Sequence, residues 1–287
     1  MVHYSTKLGA RTYKLTYTIV LLTLFLAASS KGLCSNGAGD TGPALDWQAS
    51  AELSGLFAET GVTGTFILYD VSAERIIFHN RARTGTRFIP ASTFKIPNSL
   101  IGLSTGAVND VEELIPYGGK PQFLKVWEQD MGLRDAIRVS NVPVYQELAR
   151  RTGLQRMREY LALLDYGNRE TGDLVDRFWL EGPLEISAWE QVIFMARLAR
   201  LELPLPADVQ QSVIDIIRID QGDDWVLHAK TGWANTPEPD LGWWVGWVVK
   251  NQDIFSFALN IDMPESADAD KRVKLGRASL ELLGLIQ

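Results

Sequence analysis

Trp225-Val-Leu-His-Ala-Lys230, Gly242-Trp-Trp-Val-Gly-Trp-Val-Val249 and Ile254-Phe-Ser-Phe-Ala-Leu-Asn-Ile261 are apolar runs of strand length, rich in aromatic and β-branched residues and separated by polar stretches. Their spacing predicts successive antiparallel strands. Near the other end, Gly64-Thr-Phe-Ile-Leu-Tyr-Asp-Val71 and Arg75-Ile-Ile-Phe-His79 flank the short polar connection Ser72-Ala-Glu74, the pattern of a hairpin. Between these ends, from about Ser92 to Ile217, apolar residues recur at the helical period, most clearly over 144–151, 154–164 and 187–201. The last of these opens with Ser187-Ala-Trp-Glu190, a capping box in which the Ser and Glu side chains satisfy each other's backbone N–H groups. A final helix is expected over 271–283. Terminal strands that pair around an inserted helical block predict an α+β fold, an antiparallel sheet flanked by helices with an inserted all-helical region. On this reading 47–88 and 207–287 form a discontinuous sheet domain, 89–206 a helical domain, and the functional site lies at their interface. No internal repeat interrupts the pattern.

Composition narrows the function. The chain has 287 residues, 46% hydrophobic and 22% charged, which fits a globular protein with one or two packed cores. Its net charge is −7, and beyond residue 30, where 25 basic residues face 35 acidic ones, it is −10. That balance argues against a nucleic-acid partner, whose phosphates need Lys and Arg. One cysteine, Cys34, excludes an intrachain disulfide and a Cys-rich zinc site. With only His3, His79 and His228, a His-ligated catalytic metal is not expected.

Residues 1–30 read as an export signal. A basic stretch ending at Lys14 precedes an acid-free apolar run, Leu15 to Ala28, and then small residues. The run is short for a membrane span, so no stable span is expected once the signal is removed; an N-terminal anchor is the alternative. A linker follows over 31–46, with Cys34 read as a free thiol rather than a lipid attachment site. Gly37-Ala-Gly-Asp-Thr-Gly42 fits a dinucleotide fingerprint only on paper, because no strand precedes it.

Two short motifs carry the chemistry. Pro90-Ala-Ser-Thr-Phe-Lys-Ile96 follows strand-like residues and opens a helical stretch, which places Ser92 at its first turn and Lys95 on the same face. A serine there meets free N–H groups and the positive end of the helix dipole, and a neutral amine within reach can take its proton. Ser-x-x-Lys is expected about once by chance in a chain of this size. Lys230-Thr-Gly232, at the end of a predicted strand, is much rarer; Lys230 and Thr231 there can meet a substrate carboxylate, and Gly232 admits close backbone approach. Ser140-Asn-Val142, between helical segments, offers a hydroxyl for proton relay, although a serine so placed is more often an N-cap.

From about Trp47 to its end the chain resembles the class D serine β-lactamases, or oxacillinases, of the serine β-lactamase/DD-peptidase-like fold. The markers occur in order: Ser92-Thr-Phe-Lys95, Ser140-Asn-Val142, Tyr166-Gly-Asn168, Phe178-Trp-Leu-Glu-Gly182, Lys230-Thr-Gly232 and Gly242-Trp-Trp-Val-Gly-Trp247. Ser-x-Val and Tyr-Gly-Asn distinguish this class from other penicillin-recognising enzymes. The resemblance implies a periplasmic enzyme that opens β-lactams through an acyl-serine at Ser92 and confers resistance to them. It implies no cofactor in the usual sense; CO₂ is held as a carbamate on Lys95, which serves as general base. Val142 and Leu180 would keep that lysine dry, and Trp179 would donate its indole N–H to the carbamate. Ser140, assisted by Lys230, would protonate the departing nitrogen. The N–H groups of Ser92 and Trp233 would form the oxyanion hole. Thr231, beside Gly232, and a downstream arginine would hold the drug's carboxylate; Arg272 is the candidate, with Arg277 and Lys271 near enough in sequence to replace it. Tyr166 and Asn168 are expected to be structural. A homodimer is compatible with the family.

Three readings compete. A penicillin-binding sensor that is acylated without turnover shares the motifs but carries additional membrane helices, and a cell-wall peptidase usually has Asn where Val142 stands. Gly102-Leu-Ser-Thr-Gly106 matches a nucleophile elbow but follows helical sequence where a strand is required. His79 and His228 read as ordinary packed or surface histidines, and the tryptophans of 243–247 as sheet core.

Overall fold

The computed structural model describes residues 45–236 and 238–287; the expected export signal, nearly all of the linker, Cys34 and Gly37–Gly42 lie outside the described residues. The described chain opens with β1 (Asp46–Ala49), α1 (Ala51–Thr60), the hairpin β2 (Gly64–Asp70) and β3 (Arg75–His79), the single turn α2 (Arg81–Thr84) and the short β4 (Arg87–Phe88). Helices α3 (Lys95–Ser104), α4 (Leu133–Arg138), α5 (Val142–Thr152) and α6 (Leu154–Leu164) follow. Then come β5 (Ile186–Ser187), α7 (Ala188–Ala199) and α8 (Ala207–Ile216). The chain ends with β6 (Arg218–Gln221), β7 (Trp225–Ala234), β8 (Asp240–Lys250), β9 (Asp253–Met263) and α9 (Lys271–Leu282).

Seven strands form one sheet in the order β1-β3-β2-β9-β8-β7-β6, so the N-terminal hairpin and the C-terminal meander join at β2–β9. The α+β expectation holds. The sheet is not wholly antiparallel, however, because β1 runs parallel to β3. This edge strand belongs partly to the expected linker, since Asp46 already pairs with Arg75. Its Asp-Trp-Gln-Ala sequence is mostly exposed and carries no alternating pattern. Helix α1 also lacked a sequence reading, yet its local chemistry is regular: Ser50 accepts from the Leu53 N–H, Gly61 ends the helix at φ +63°, and Leu53 and Phe57 share the buried face.

Strand β8 is apolar throughout because both faces of the sheet are covered. Trp243, Val245 and Trp247 point to the large core shared with the helices, while Trp244 and Val248 point to a second core beneath α1 and α9. Gly276 lets α9 lie flat there: a Cβ on it would stand 2.1 Å from the Trp244 ring.

Packing does not follow the expected division at residue 206. Helix α7 lies on β2, β8 and β9, with the Ser256 hydroxyl donating to the Val192 carbonyl at 2.9 Å. Helix α8, assigned by sequence to the sheet part, packs on α3 and α4. An amphipathic helix goes to whichever apolar face needs cover, irrespective of chain order. The capping box at Ser187 and Glu190 is present, and α7 ends at Ala199, two residues before the expected stop.

Candidate active site

The turn that carries Ser92 is docked directly on the sheet. Residues Ala91–Phe94 form a 3₁₀ turn, so α3 starts at Lys95 and not, as expected, at the serine. Trp243 Nε1 donates to the Ile89 carbonyl at 2.9 Å, and the Thr93 hydroxyl donates to the Pro90 carbonyl at 2.7 Å. Gln191 from α7 in turn donates to Thr93 Oγ1 at 3.0 Å. These bonds hold Ala91 at φ +48°, a left-handed conformation costly for a residue with a side chain. Gly232 of β7 faces this turn, and a Cβ there would stand 3.0 Å from the Pro90 carbonyl oxygen.

Lys95 Nζ lies 2.8 Å from Ser92 Oγ, and the lysine is fully buried. It pairs with no carboxylate among the described residues. Burial, reinforced by the charge of Lys230, holds its amine well below the ordinary lysine range, which shifts it toward the uncharged form. The Tyr145 ring lies 5.3 Å from Nζ, and the Tyr145 hydroxyl pairs with Ser99 at 2.9 Å. Trp179 is buried and stacked on Phe94, with ring centroids 5.2 Å apart. Its indole N–H is buried without a partner among the described residues, which is costly for a donor out of water.

Ser140 sits between α4 and α5 at φ +52°. It is not the helix cap: Asn141 is, accepting from the Val144 N–H at 3.1 Å. The serine is thereby left to face Lys230, whose Nζ donates to Ser140 Oγ at 3.1 Å and to the Thr231 carbonyl at 3.0 Å. Burial first, and then the charge of Arg272, lower Lys230 to about 7.

Of the three downstream cations, Arg272 is the one that lines the cavity. Its Nη1 donates to the Gly232 carbonyl at 2.8 Å, it lines the same cavity as Ser92, and its buried Nε has no partner among the described residues. Lys271 instead pairs with Asp268 at 2.6 Å and Arg277 with Asp220 at 2.5 Å.

The cavity has a volume of about 700 Å³ and brings together Ser92, Ser140, Val142, Leu180, Thr231, Gly232, Trp233 and Arg272. Lys95, Trp179 and Lys230 are buried behind it. The Trp233 indole is fixed by a 2.7 Å bond to Asp240, so its ring stands as a wall. Sequence reasoning missed Phe123, Leu124, Asn235 and Thr236, which also line the cavity. The first two lie in the irregular stretch between α3 and α4, and only their unusual exposure, 90% for Phe123, marks them in the structure. Asn168 clamps the loop behind the site, donating to the Pro183 carbonyl at 2.8 Å and accepting from the Glu185 N–H at 3.0 Å.

Gly102 lies within α3 against Leu148. His79 stacks on Phe57 and His228 on Trp247, away from the cavity. Among the described residues no group of three potential metal ligands occurs, and no helix is long and apolar enough to cross a membrane.

A hydroxyl beside a buried amine, a second hydroxyl beside a second lysine, and an arginine that lines the cavity with no carboxylate partner among the described residues are the parts of a serine acyl-transfer site for an anionic substrate. Comparison with known proteins gives the family. Residues 64–281 match the penicillin binding protein transpeptidase domain. The chain is 41% identical over 233 residues to β-lactamase OXA-5 of Pseudomonas aeruginosa, an alignment covering 80% of this chain and 87% of the relative. It is 37% identical over 241 residues to β-lactamase OXA-48 of Klebsiella pneumoniae, covering 84% and 91%. Among solved structures, the class D β-lactamase FUS-1 (OXA-85) of Fusobacterium nucleatum subsp. polymorphum superposes with a TM-score of 0.82 at 42% identity, covering 84% of this chain and 100% of that one. The chain belongs to the class D β-lactamases, a family of β-lactam hydrolases.

Proposed function

We propose that the protein is an exported, periplasmic enzyme that opens β-lactams through an acyl-serine at Ser92 and confers resistance to them. Lys95 is the base, in its carboxylated form. The observation that carries this reading is the fully buried Lys95 amine 2.8 Å from Ser92 Oγ, with no carboxylate partner among the described residues. An uncharged amine is the form that reacts with CO₂. The indole N–H of Trp179 fits the product, because its ring stacks on Phe94, the neighbour of Lys95 in sequence, and the N–H lacks an acceptor among the described residues. When bound, the carbamate supplies an anionic oxygen base.

The chain's own groups supply the rest. Ser92 Oγ loses its proton to the Lys95 side chain and bonds to the lactam carbonyl carbon. The Ser92 and Trp233 N–H groups hold the resulting oxyanion, a contribution typically worth about 3 kcal/mol of barrier per donor. As the carbon–nitrogen bond breaks, Ser140 passes its proton to the nitrogen and Lys230 replaces it. Thr231 and Arg272 bind the substrate carboxylate; the charge of Arg272 is available because its other bond is to a neutral carbonyl. The proton taken from Ser92 returns by way of solvent to Lys230, which frees the base; a water then gives that base a proton and bonds to the acyl carbon, and as the bond to Ser92 Oγ breaks the proton passes back to the serine. Val142 and Leu180 restrict water around the lysine. Export rests on the basic and apolar pattern of residues 1–30.

Purified protein should hydrolyse a chromogenic cephalosporin repeatedly, and bicarbonate should restore activity lost on degassing at low pH. One stoichiometric burst followed by silence would identify an acylated sensor instead.

A further inference from the structure

One face of α5 runs alongside the loop that carries Trp179 and Leu180. Val142, Gln146 and Arg150 recur every four residues and so share that face. Gln146 Nε2 donates to the Asp176 carbonyl at 3.0 Å, and Arg150 Nη1 to the Asp176 carboxylate at 2.5 Å. Val142 and Leu180 both line the active-site cavity. Between Asp176 and Leu180 the loop is a tight hydrogen-bonded turn: the Leu180 N–H donates to the Arg177 carbonyl at 2.8 Å, and the Leu184 N–H to the Phe178 carbonyl at 3.1 Å. The loop and the helix are therefore fastened at Asp176, while Leu180 and Val142 are left to face the cavity in front of Lys95.

We propose that Gln146 and Arg150 are positioning residues for the Lys95 pocket: by pinning Asp176 to α5 they set where Trp179 and Leu180 stand and so how firmly CO₂ is retained. This rests on the carbamate reading above. The backbone bond from Gln146 fixes the turn's distance from the helix. The Arg150 pair fixes its rotation, since two attachments to one residue remove the freedom that a single bond leaves. Both groups lie outside the cavity, and neither touches Ser92, Lys95 or the substrate-binding residues in the bonds they make.

The test is titration of the full chain with ¹³C-bicarbonate, following the lysine carbamate carbon by NMR, for wild type, Gln146→Leu, Arg150→Met, the double variant and Arg150→Lys. The double variant should need about tenfold more bicarbonate for half of the full signal, each single variant less, and Arg150→Lys should stay near wild type. Its burst of Ser92 acylation at saturating bicarbonate should stay within about twofold of wild type. A merely structural role would lower the unfolding temperature and leave the bicarbonate requirement unchanged. That result, or an Arg150→Lys variant as impaired as Arg150→Met, overturns the proposal. Absence of the carbamate signal from wild type would instead remove the reading of Lys95 itself, and the positioning role with it.

Discussion

At Lys95 the decisive quantity is the energy of the charged form. Burial without a carboxylate partner among the described residues penalises the ammonium and so favours the uncharged amine more than in an ordinary lysine. Lys95→Ala should therefore lose deacylation and slow acylation, with stopped-flow and steady-state rates separating the two; normal steady turnover would refute the base assignment. Trp179→Phe retains the stack on Phe94 and deletes only the donor, so it should raise the bicarbonate requirement by about tenfold, read from activity titrations. Gly232→Ala would press a methyl group toward the Pro90 carbonyl and Thr93, so kcat/KM should fall by about tenfold or more with little change in fold, checked by circular dichroism. Ser92, Lys95 and Lys230 were legible because their motifs are local in sequence. Arg272 was the candidate by sequence with Lys271 and Arg277 as substitutes, and the acidic partners that occupy those two are set by tertiary packing, which no local pattern reports. Phe123 and Leu124 gave no periodic signal at all.

Among the elements, those with a strong period were readable to within a few residues. Helix α6 has its expected bounds, and β7, β8 and β9 extend the expected runs at one or both ends. Elements of four residues were missed, as β1 and β6 show: each is largely exposed, and edge strands need no alternating apolar face. Arg218–Gln221 continues directly from α8, and its strand character comes from pairing with β7, which no local pattern reports. The seam between α9 and the sheet has no room for a side chain at Gly276. Gly276→Ala would overpack the Trp244 ring and should cost about 1–3 kcal/mol in denaturant unfolding, with Ser92 acylation retained below the transition.

For the molecule as a whole, burial of basic groups couples stability to pH. His228, stacked on Trp247, is lowered to about 4, chiefly by burial, against about 6.5 when unfolded. Between those values the unfolded chain binds the extra proton, so the contribution is complete above about 6.5 and is lost as pH falls toward 4. Replacing His228 by Phe should flatten the unfolding temperature over that window, removing a dependence of about 3 kcal/mol. Lys230, at about 7, acts in the same sense at higher pH, with stability rising from there toward the ordinary lysine range.

The docking of the Ser92 turn on the sheet has a mechanical consequence. Trp243 and Gly232 tie the nucleophile to the strands that carry Lys230, whereas Ser140 is delivered from the far bank by the α4–α5 junction. Any breathing of the helices would leave the attacking oxygen in register with the strands and instead stretch the bridge from Lys230 to Ser140. Warming or mild urea should accordingly impair expulsion of the ring nitrogen before it impairs attack, making leaving-group departure the step most exposed to thermal softening.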